Sequence, residues 1–337
     1  MLIDIRNLSI FADTPQGEVR VLDRVSLQIA EGEIHTLVGE SGSGKSLVAR
    51  AIMGFVNPNW RIQADRLWFK GTDLLNLTAK QRREIIGVDI AMIFQDAARY
   101  LDPNTTIREQ LKEAILDEDV KATFWTRSKA KDEYARNLLL KMGVKNYEQV
   151  LASYPFELSD GAAQKVMIAT AIAHRPHLLI ADEPTTAMEP LTRAQIYRLL
   201  AQLHQRFKMS ILVITQDLNT IMQETDRITT IYCGQIMETG HKNTMLTKPL
   251  HPYTDALNYT SLVQTENLKP RDRLKTLPGI EPTLQNMPKG CRLGPRCRYA
   301  RQNCIMRPEI TNLKEHSYYC HHPIREFENS KNKGENS

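Results

Sequence analysis

No stretch of the chain approaches the roughly 18 consecutive apolar residues that a membrane-spanning helix needs. The first residues, with Asp4 and Arg6 close behind Met1, do not make a signal peptide, so the expectation is a chain that stays in the cytoplasm. Charge of one sign is scarce as well. The 44 Lys and Arg face 39 Asp and Glu, and a net +5 this small and mixed does not argue for nucleic-acid binding. Cysteine is sparse, five in 337 residues, but four of them, Cys291, Cys297, Cys304 and Cys320, crowd into one window of thirty residues. A composition of 42% hydrophobic and 25% charged residues excludes disorder as the main state. The length suffices for a large α/β core plus roughly one further module.

Leu2-Ile3-Asp4-Ile5 alternates, Thr14-Pro15-Gln16-Gly17 has turn chemistry and Val19 to Ile29 alternates again, which predicts an antiparallel sheet. Glu33 to Val38 reads as a buried strand leading through a glycine-rich turn into a helix over Leu47 to Phe55, the start of a βα unit. Two more apolar runs, Leu178 to Ile180 and Ile211 to Ile214, flank a helix-length segment from Arg193 to Phe207, so a parallel sheet covered by helices is expected. Ile107 to Lys141, free of glycine and proline, reads as part of an inserted helical subdomain. Past residue 250 the prolines multiply and little regular structure is expected; Glu326 to Ser337 read as a frayed tail. Cys233, after Ile231-Tyr232, is expected in a strand as a buried small hydrophobe.

Gly39-Glu40-Ser41-Gly42-Ser43-Gly44-Lys45-Ser46 fits the phosphate-loop pattern and falls after a strand and before a helix, where that pattern requires. The glycines let backbone N–H groups converge on a β-phosphate, Lys45 neutralises β/γ charge and the Ser46 hydroxyl is suited to Mg²⁺. Leu178 to Glu183 supplies the complement, a buried strand ending in two carboxylates, Asp182 for the metal and Glu183 for the attacking water.

These segments, with Ile93-Phe94-Gln95-Asp96, Leu158-Ser159-Asp160-Gly161 and Thr215-Gln216-Asp217, come in the order and spacing of an ABC-transporter ATPase. His251-Pro252-Tyr253-Thr254 and Leu277-Pro278-Gly279 resemble the oligopeptide/dipeptide importer branch, and the resemblance covers about residues 1–325. It implies an α/β P-loop NTPase: a RecA-like core, an antiparallel β subdomain, a helical subdomain inserted at about 97–175 within an ATPase domain of 1–250, and a loop-rich cysteine module over 251–325. It implies that Phe11 stacks on adenine, that Gln95 touches Mg²⁺ and the attacking water, and that Ser159, Asp160 and Gly161 face ATP held by a second ATPase subunit. The expected partners are that subunit, two permease chains and, indirectly, a periplasmic binding protein, with the chain peripheral on the cytoplasmic face of the bacterial inner membrane and peptide as cargo.

The chain departs from the family pattern at three places. The signature segment, usually Leu-Ser-Gly-Gly-Gln, reads Leu158-Ser159-Asp160-Gly161-Ala162; Gln216 stands where a histidine is usual; and Glu189 replaces an aspartate. Asp160 adds bulk and negative charge where bare backbone normally meets ATP, and Gln216 offers a hydrogen bond but cannot be protonated. Weak or slow hydrolysis with ATP binding retained is expected. The alternative at this point is a regulatory ATP-binding subunit without productive turnover.

The cysteine window leaves three readings. Disulfides are disfavoured in a reducing compartment. Zinc lacks the usual close cysteine pairs, though His316, His321 and His322 are near in sequence. Wider gaps suit a [4Fe–4S] cluster, which the family resemblance also implies, and four free thiols remain the third reading. Residues 265–301 hold nine Lys or Arg against three acids, an excess larger than that of the whole chain. This local charge is expected to offset thiolates or to face anionic lipid.

Overall fold

The structure is a computed structural model that describes residues 1–15, 17–120, 122–186, 188–218, 222–260 and 277–324. In chain order the elements begin β1 (Ile3–Thr14), β2 (Gly17–Ile29), β3 (Ile34–Val38), α1 (Lys45–Met53), β4 (Arg61–Gln63), β5 (Arg66–Phe69), β6 (Thr72–Asp73) and α2 (Ala79–Ile85). They continue with β7 (Ile90–Ile93), α3 (Ala97–Tyr100), α4 (Ile107–Ala114), α5 (Arg127–Lys141), α6 (Tyr147–Ala152), α7 (Asp160–Ala171), β8 (Leu178–Asp182), α8 (Pro190–Phe207) and β9 (Ser210–Thr215). The last are β10 (Arg227–Tyr232), β11 (Gln235–His241), α9 (Lys242–Thr247), α10 (Pro252–Thr260), β12 (Thr311–Leu313) and β13 (His316–Tyr318). They form two compact units, one of Met1–Leu75 with Thr215–Ser337, the other Asn76–Ile214.

The first unit holds an antiparallel sheet in the order β2-β1-β5-β6, with β4 also on β1. Alternation in β1 and β2 buries Ile3, Ile5, Leu22, Leu27 and Ile29 on one side. The same unit contributes a second run of paired strands, β12-β13-β11-β10-β3, in which β10 lies parallel to β3. β10 and β11 form a tight hairpin through Cys233 and Gly234, whose φ values are 45° and 76°. Cys233 is therefore buried as expected, at 5% exposure, but it sits in the turn rather than in a strand. Two positive φ angles give the turn twist that matches flanking strands, and a Cβ on Gly234 would lie 1.9 Å from the Val21 carbonyl oxygen.

The second unit is built on the parallel strands β7, β8 and β9. Every residue of β7 and β8 is buried, as a sheet covered on both faces demands. Helices α2 to α8 belong to it. The stretch 107–141 holds two helices: α4 opens with a Thr106–Glu109 capping box and ends at Ala114, and α5 begins at Arg127. The helix expected from Arg193 starts at Pro190, because proline's fixed φ suits a first helical residue. The predicted tail of 326–337 and the basic residues Lys269, Arg271, Arg273 and Lys275 lie outside the described residues.

Candidate functional site

In the first unit the phosphate loop runs from Gly39, at the end of β3, to Ser46 in α1. Gly44 caps α1 at φ 99°, with no side chain bonded to the helix N-terminus. A Cβ there would lie 2.6 Å from the Leu22 Cδ2, so glycine is required for space as well as conformation. The Lys45 ammonium, 4% exposed, donates to the carbonyls of Gly39 and Glu40, each at 2.8 Å. The buried Ser43 hydroxyl has no hydrogen-bond partner. An uncapped helix start, a lysine over the loop and an orphaned buried hydroxyl fit a bound polyphosphate. Gly39 N–H donates to the carbonyl of Thr215 at 3.4 Å, the residue that precedes the exposed Gln216.

Phe11 is 8% exposed, and its ring carries two cations, the Arg61 guanidinium at 3.9 Å from the centroid and Arg20 at 4.9 Å. Arg61 is the cross-strand neighbour of Phe11 and is tied to Glu18 at 2.7 Å. A base stacking on Phe11 therefore has to displace Arg61 or share the ring edge with it.

In the second unit Asp182 closes β8 at 7% exposure. Glu183 adopts φ 45°, a left-handed conformation costly for a side-chain-bearing residue. It is over-determined locally: its N–H donates to the Ile214 carbonyl at 2.9 Å, and the Thr186 hydroxyl donates to its Oε2 at 3.0 Å. A cleft of about 470 Å³ in this unit is lined by Gln95, Tyr100, Asp160, Gln164, Thr186 and Met188, among others. It brings Gln95 and Asp160, separate motifs in sequence, onto one wall system. Ser159 caps α7, accepting from Ala162 N–H at 3.4 Å, and Asp160 is the first helical residue. Its carboxylate lies where it offsets the positive end of the helix dipole. Glu189 is exposed and caps α8 through its backbone, with no side-chain cap bond. Gln164 was not anticipated from sequence: it is fully buried and neither amide atom has a partner.

The C-terminal extension packs within the first unit. Tyr232, Cys233, Met237, Tyr253, Cys291 and Leu293 form one buried cluster, with Cys297 and Cys304 packed against it. All five cysteines are free. Burial first, with neighbouring thiols adding to it, pushes the Cys291 thiol up to about 11 and the Cys320 thiol up to about 12. The four cysteines of the window are thus close enough to repel one another as thiolates. Among the described residues, however, no three His, Cys, Asp or Glu side chains are arranged to hold a metal ion. The histidines are engaged elsewhere: His316 with buried Glu238 at 2.6 Å, His322 with Asn303 at 2.6 Å and His321 with the Met306 carbonyl at 3.1 Å.

Of the described basic residues of the 265–301 stretch, Arg292 and Arg296 turn inward, whereas Lys289, Arg298 and Arg301 are exposed. Arg292, 4% exposed, donates to the Cys233 carbonyl and lies 3.9 Å from Asp23, which Arg307 also pairs at 2.8 Å. Burial raises the Asp23 carboxyl, but the hydrogen bond from Gln235 and the Arg307 charge outweigh it and hold the group low. These arginines anchor the extension to β2 and the β10–β11 turn rather than facing lipid or thiolates.

The HPYT run has a structural purpose of its own. His251 accepts the Tyr253 N–H at 3.0 Å, and Thr254 bonds Thr230 at 3.0 Å. The Tyr253 hydroxyl accepts the Glu40 N–H at 2.9 Å, which ties α10 directly to the phosphate loop.

Two family models match the chain, "ABC transporter" over residues 22–186 and "Oligopeptide/dipeptide transporter, C-terminal region" over residues 237–304. The peptide transport system ATP-binding protein SapD of Salmonella typhimurium is 47% identical over 96% of this chain and 98% of its own. The dipeptide transport ATP-binding protein DppD of Haemophilus influenzae is 40% identical over 96% of each chain. A solved dimeric bacterial ABC transporter cassette, 24% identical, superposes with a TM-score of 0.63 over 71% of this chain and 98% of its own, a likeness of fold. Among the described residues no helix is long and apolar enough to cross a membrane. On the strength of both models and of relatives that match almost end to end, the chain belongs to the ATP-binding subunits of ABC transporters, in the branch that carries the oligopeptide/dipeptide C-terminal region.

Proposed function

We propose that this subunit couples ATP binding and hydrolysis to the import of peptides, antimicrobial peptides among them, across the bacterial inner membrane, from a peripheral position on its cytoplasmic face. The observation that carries the reading is the phosphate loop held in one unit with the peptide-transporter C-terminal region. Lys45 and the N–H groups of Gly39 to Ser46 take the β- and γ-phosphates, and Phe11 the base. Ser46, Gln95 and Asp182 are the residues that would hold Mg²⁺, which neutralises developing phosphate charge when bound. Glu183 orients the attacking water and Gln216 donates to the γ-phosphate. Ser159, Asp160 and Gly161 face the nucleotide of a second, different ATPase subunit, and two permease chains receive the motion. Co-purification with the membrane partners, followed by ATPase measurement with and without peptide, tests the reading; an ATPase rate indifferent to every peptide class and to the permeases overturns it.

Hydrolysis in this subunit's complex is slow. The supporting observation is Asp160 at the first turn of α7, where its carboxylate already offsets the helix N-terminus that would otherwise draw the partner's γ-phosphate. Together with Gln216 it also favours a second reading, an ATP-occupancy switch without productive turnover. Equilibrium ATP binding set against turnover in one preparation separates the two.

Cys291, Cys297, Cys304 and Cys320 are proposed to take a [4Fe–4S] cluster, on the chemistry of four free, buried or half-buried thiols in one loop-rich module. When bound, such a cluster would fix the loop-rich module covalently. Absorbance near 400 nm after anaerobic purification, lost in Cys297→Ser, is the expected result; a colourless protein carrying stoichiometric zinc, or no metal, overturns it.

A further inference from the structure

Glu40, the second residue of the phosphate loop, is gripped by three separate parts of the C-terminal extension, all within the first unit. Arg296 donates to its Oε2 at 3.0 Å, and the Tyr253 hydroxyl accepts its backbone N–H at 2.9 Å. The Glu281 carboxyl is hydrogen-bonded to it and is raised, by burial first and by the Glu40 charge second. Arg296 is itself fixed: its side chain is 11% exposed, its Nη1 also donates to the Tyr232 hydroxyl at 3.1 Å and its Nε to the Pro278 carbonyl at 3.1 Å. It lies on the short turn Gly294–Arg296, between two cysteines of the window.

A carboxylate on a loop that wraps a triphosphate is a like charge in the wrong place unless a cation neutralises it. A guanidinium that is buried and bonded on three sides is a preorganised cation of that kind. Glu281 adds a second acid to the same spot, which makes the single arginine the counter-charge for both. The phosphate loop has its own lysine for the nucleotide, and the Lys45 ammonium donates to the Glu40 carbonyl.

We propose that Arg296 is a positioning residue of the nucleotide site, neutralising Glu40 and fixing the first turn of the phosphate loop, so that the C-terminal extension sets the affinity for ATP. The inference rests on the reading of residues 39–46 as the nucleotide site. It assigns the extension a role at the ATPase centre in addition to any role toward cargo or partners.

The test is a titration of the full-length chain with a fluorescent ATP analogue and Mg²⁺, for the wild type, Arg296→Ala, Arg296→Lys, Glu40→Gln and the Arg296→Ala/Glu40→Gln double variant. Arg296→Ala should weaken binding about 5–10-fold, the size of one charge-assisted hydrogen bond. The same change in the Glu40→Gln background should cost less than about 2-fold, and Arg296→Lys should recover most of the affinity. Equal losses in both backgrounds would show Arg296 to be merely a brace for the fold and would sink the proposal, as would wild-type affinity in Arg296→Ala. Should Arg296→Ala fail to fold, Arg296→Gln, which keeps donors and loses charge, answers the same question, and unchanged affinity there overturns the idea. Wild-type binding in the same titration is the separate test of the nucleotide-site reading.

Discussion

Lowering the pH from 7 to 4.5 should loosen the C-terminal extension through one side chain, His251. It is fully buried, and its Nδ1 accepts the Tyr253 N–H. Burial drives its pKa down to about 4 from an ordinary 6.5, against the opposing pull of buried Glu238. Because the folded-state value is depressed, the unfolded chain binds a proton in this window that the folded chain refuses. Stability from His251 is therefore complete above about pH 6.5 and is lost as pH falls toward 4, by up to about 3 kcal/mol at about 1.4 kcal/mol per pKa unit. Other groups contribute to the total slope, Asp23 and Glu33 held low and Glu281 raised, so the share of His251 is the part that its substitution removes. Urea unfolding of the intact chain across pH 7.5 to 4.5 measures the slope. His251→Asn, which retains an acceptor for the Tyr253 N–H but cannot titrate, should flatten it. An unchanged slope in His251→Asn would refute the reasoning, since the proton uptake would then belong to another group.

Three further perturbations test local packing and chemistry. Gln164→Leu should stabilise the second unit by about 1–2 kcal/mol, because both amide atoms are buried without partners and leucine removes that cost; a lower denaturation midpoint would show that the amide is satisfied in solution. Gly234→Ala should cost about 3 kcal/mol, since a Cβ would lie 1.9 Å from the Val21 carbonyl oxygen at a φ of 76°; a melting temperature within a degree or so of wild type would contradict the turn geometry. Asp160→Gly should raise the ATPase rate of the assembled complex by about 2–5-fold, the equivalent of about 0.3–1 kcal/mol of helix-terminus interaction returned to phosphate; an equal or lower rate would place the slow step elsewhere.

The parts of the fold that were legible in the sequence are those governed by short-range rules. The phosphate loop shows because glycine, lysine and serine must follow one another at fixed intervals. The strand ending in Asp182 shows because five consecutive buried residues leave an uninterrupted apolar run. A boundary is missed where a cap decides it, as at Pro190, three residues before the expected helix start. Cys233 was placed in a strand because periodicity does not register a two-residue turn whose first member is not glycine. The contacts that tie the extension to the ATPase centre could not be read at all. Arg296 and Glu40 are 256 positions apart, and an arginine in a basic stretch carries no local mark of whether it faces solvent or a buried acid.

The same long-range pairing changes what the basic stretch means. A sequence window rich in Lys and Arg is most simply a solvated or lipid-facing surface, and its charge would then be screened by salt. Here Arg292 is buried and Arg296 largely so, and they pair with Asp23 and with the half-buried Glu40. Buried pairs of this sort cost several kcal/mol when one partner is removed, because the other charge is stranded. The extension is thus bound to the ATPase fold by interactions that salt will weaken little. A test follows: in the intact chain the extension should stay resistant to limited proteolysis up to about 1 M NaCl, where the Debye length is about 3 Å, and Asp23→Asn should sensitise it at any salt. Release of the extension by salt alone would mean that the arginines are solvated and that the ATPase centre and the cysteine module are held together by apolar contact only.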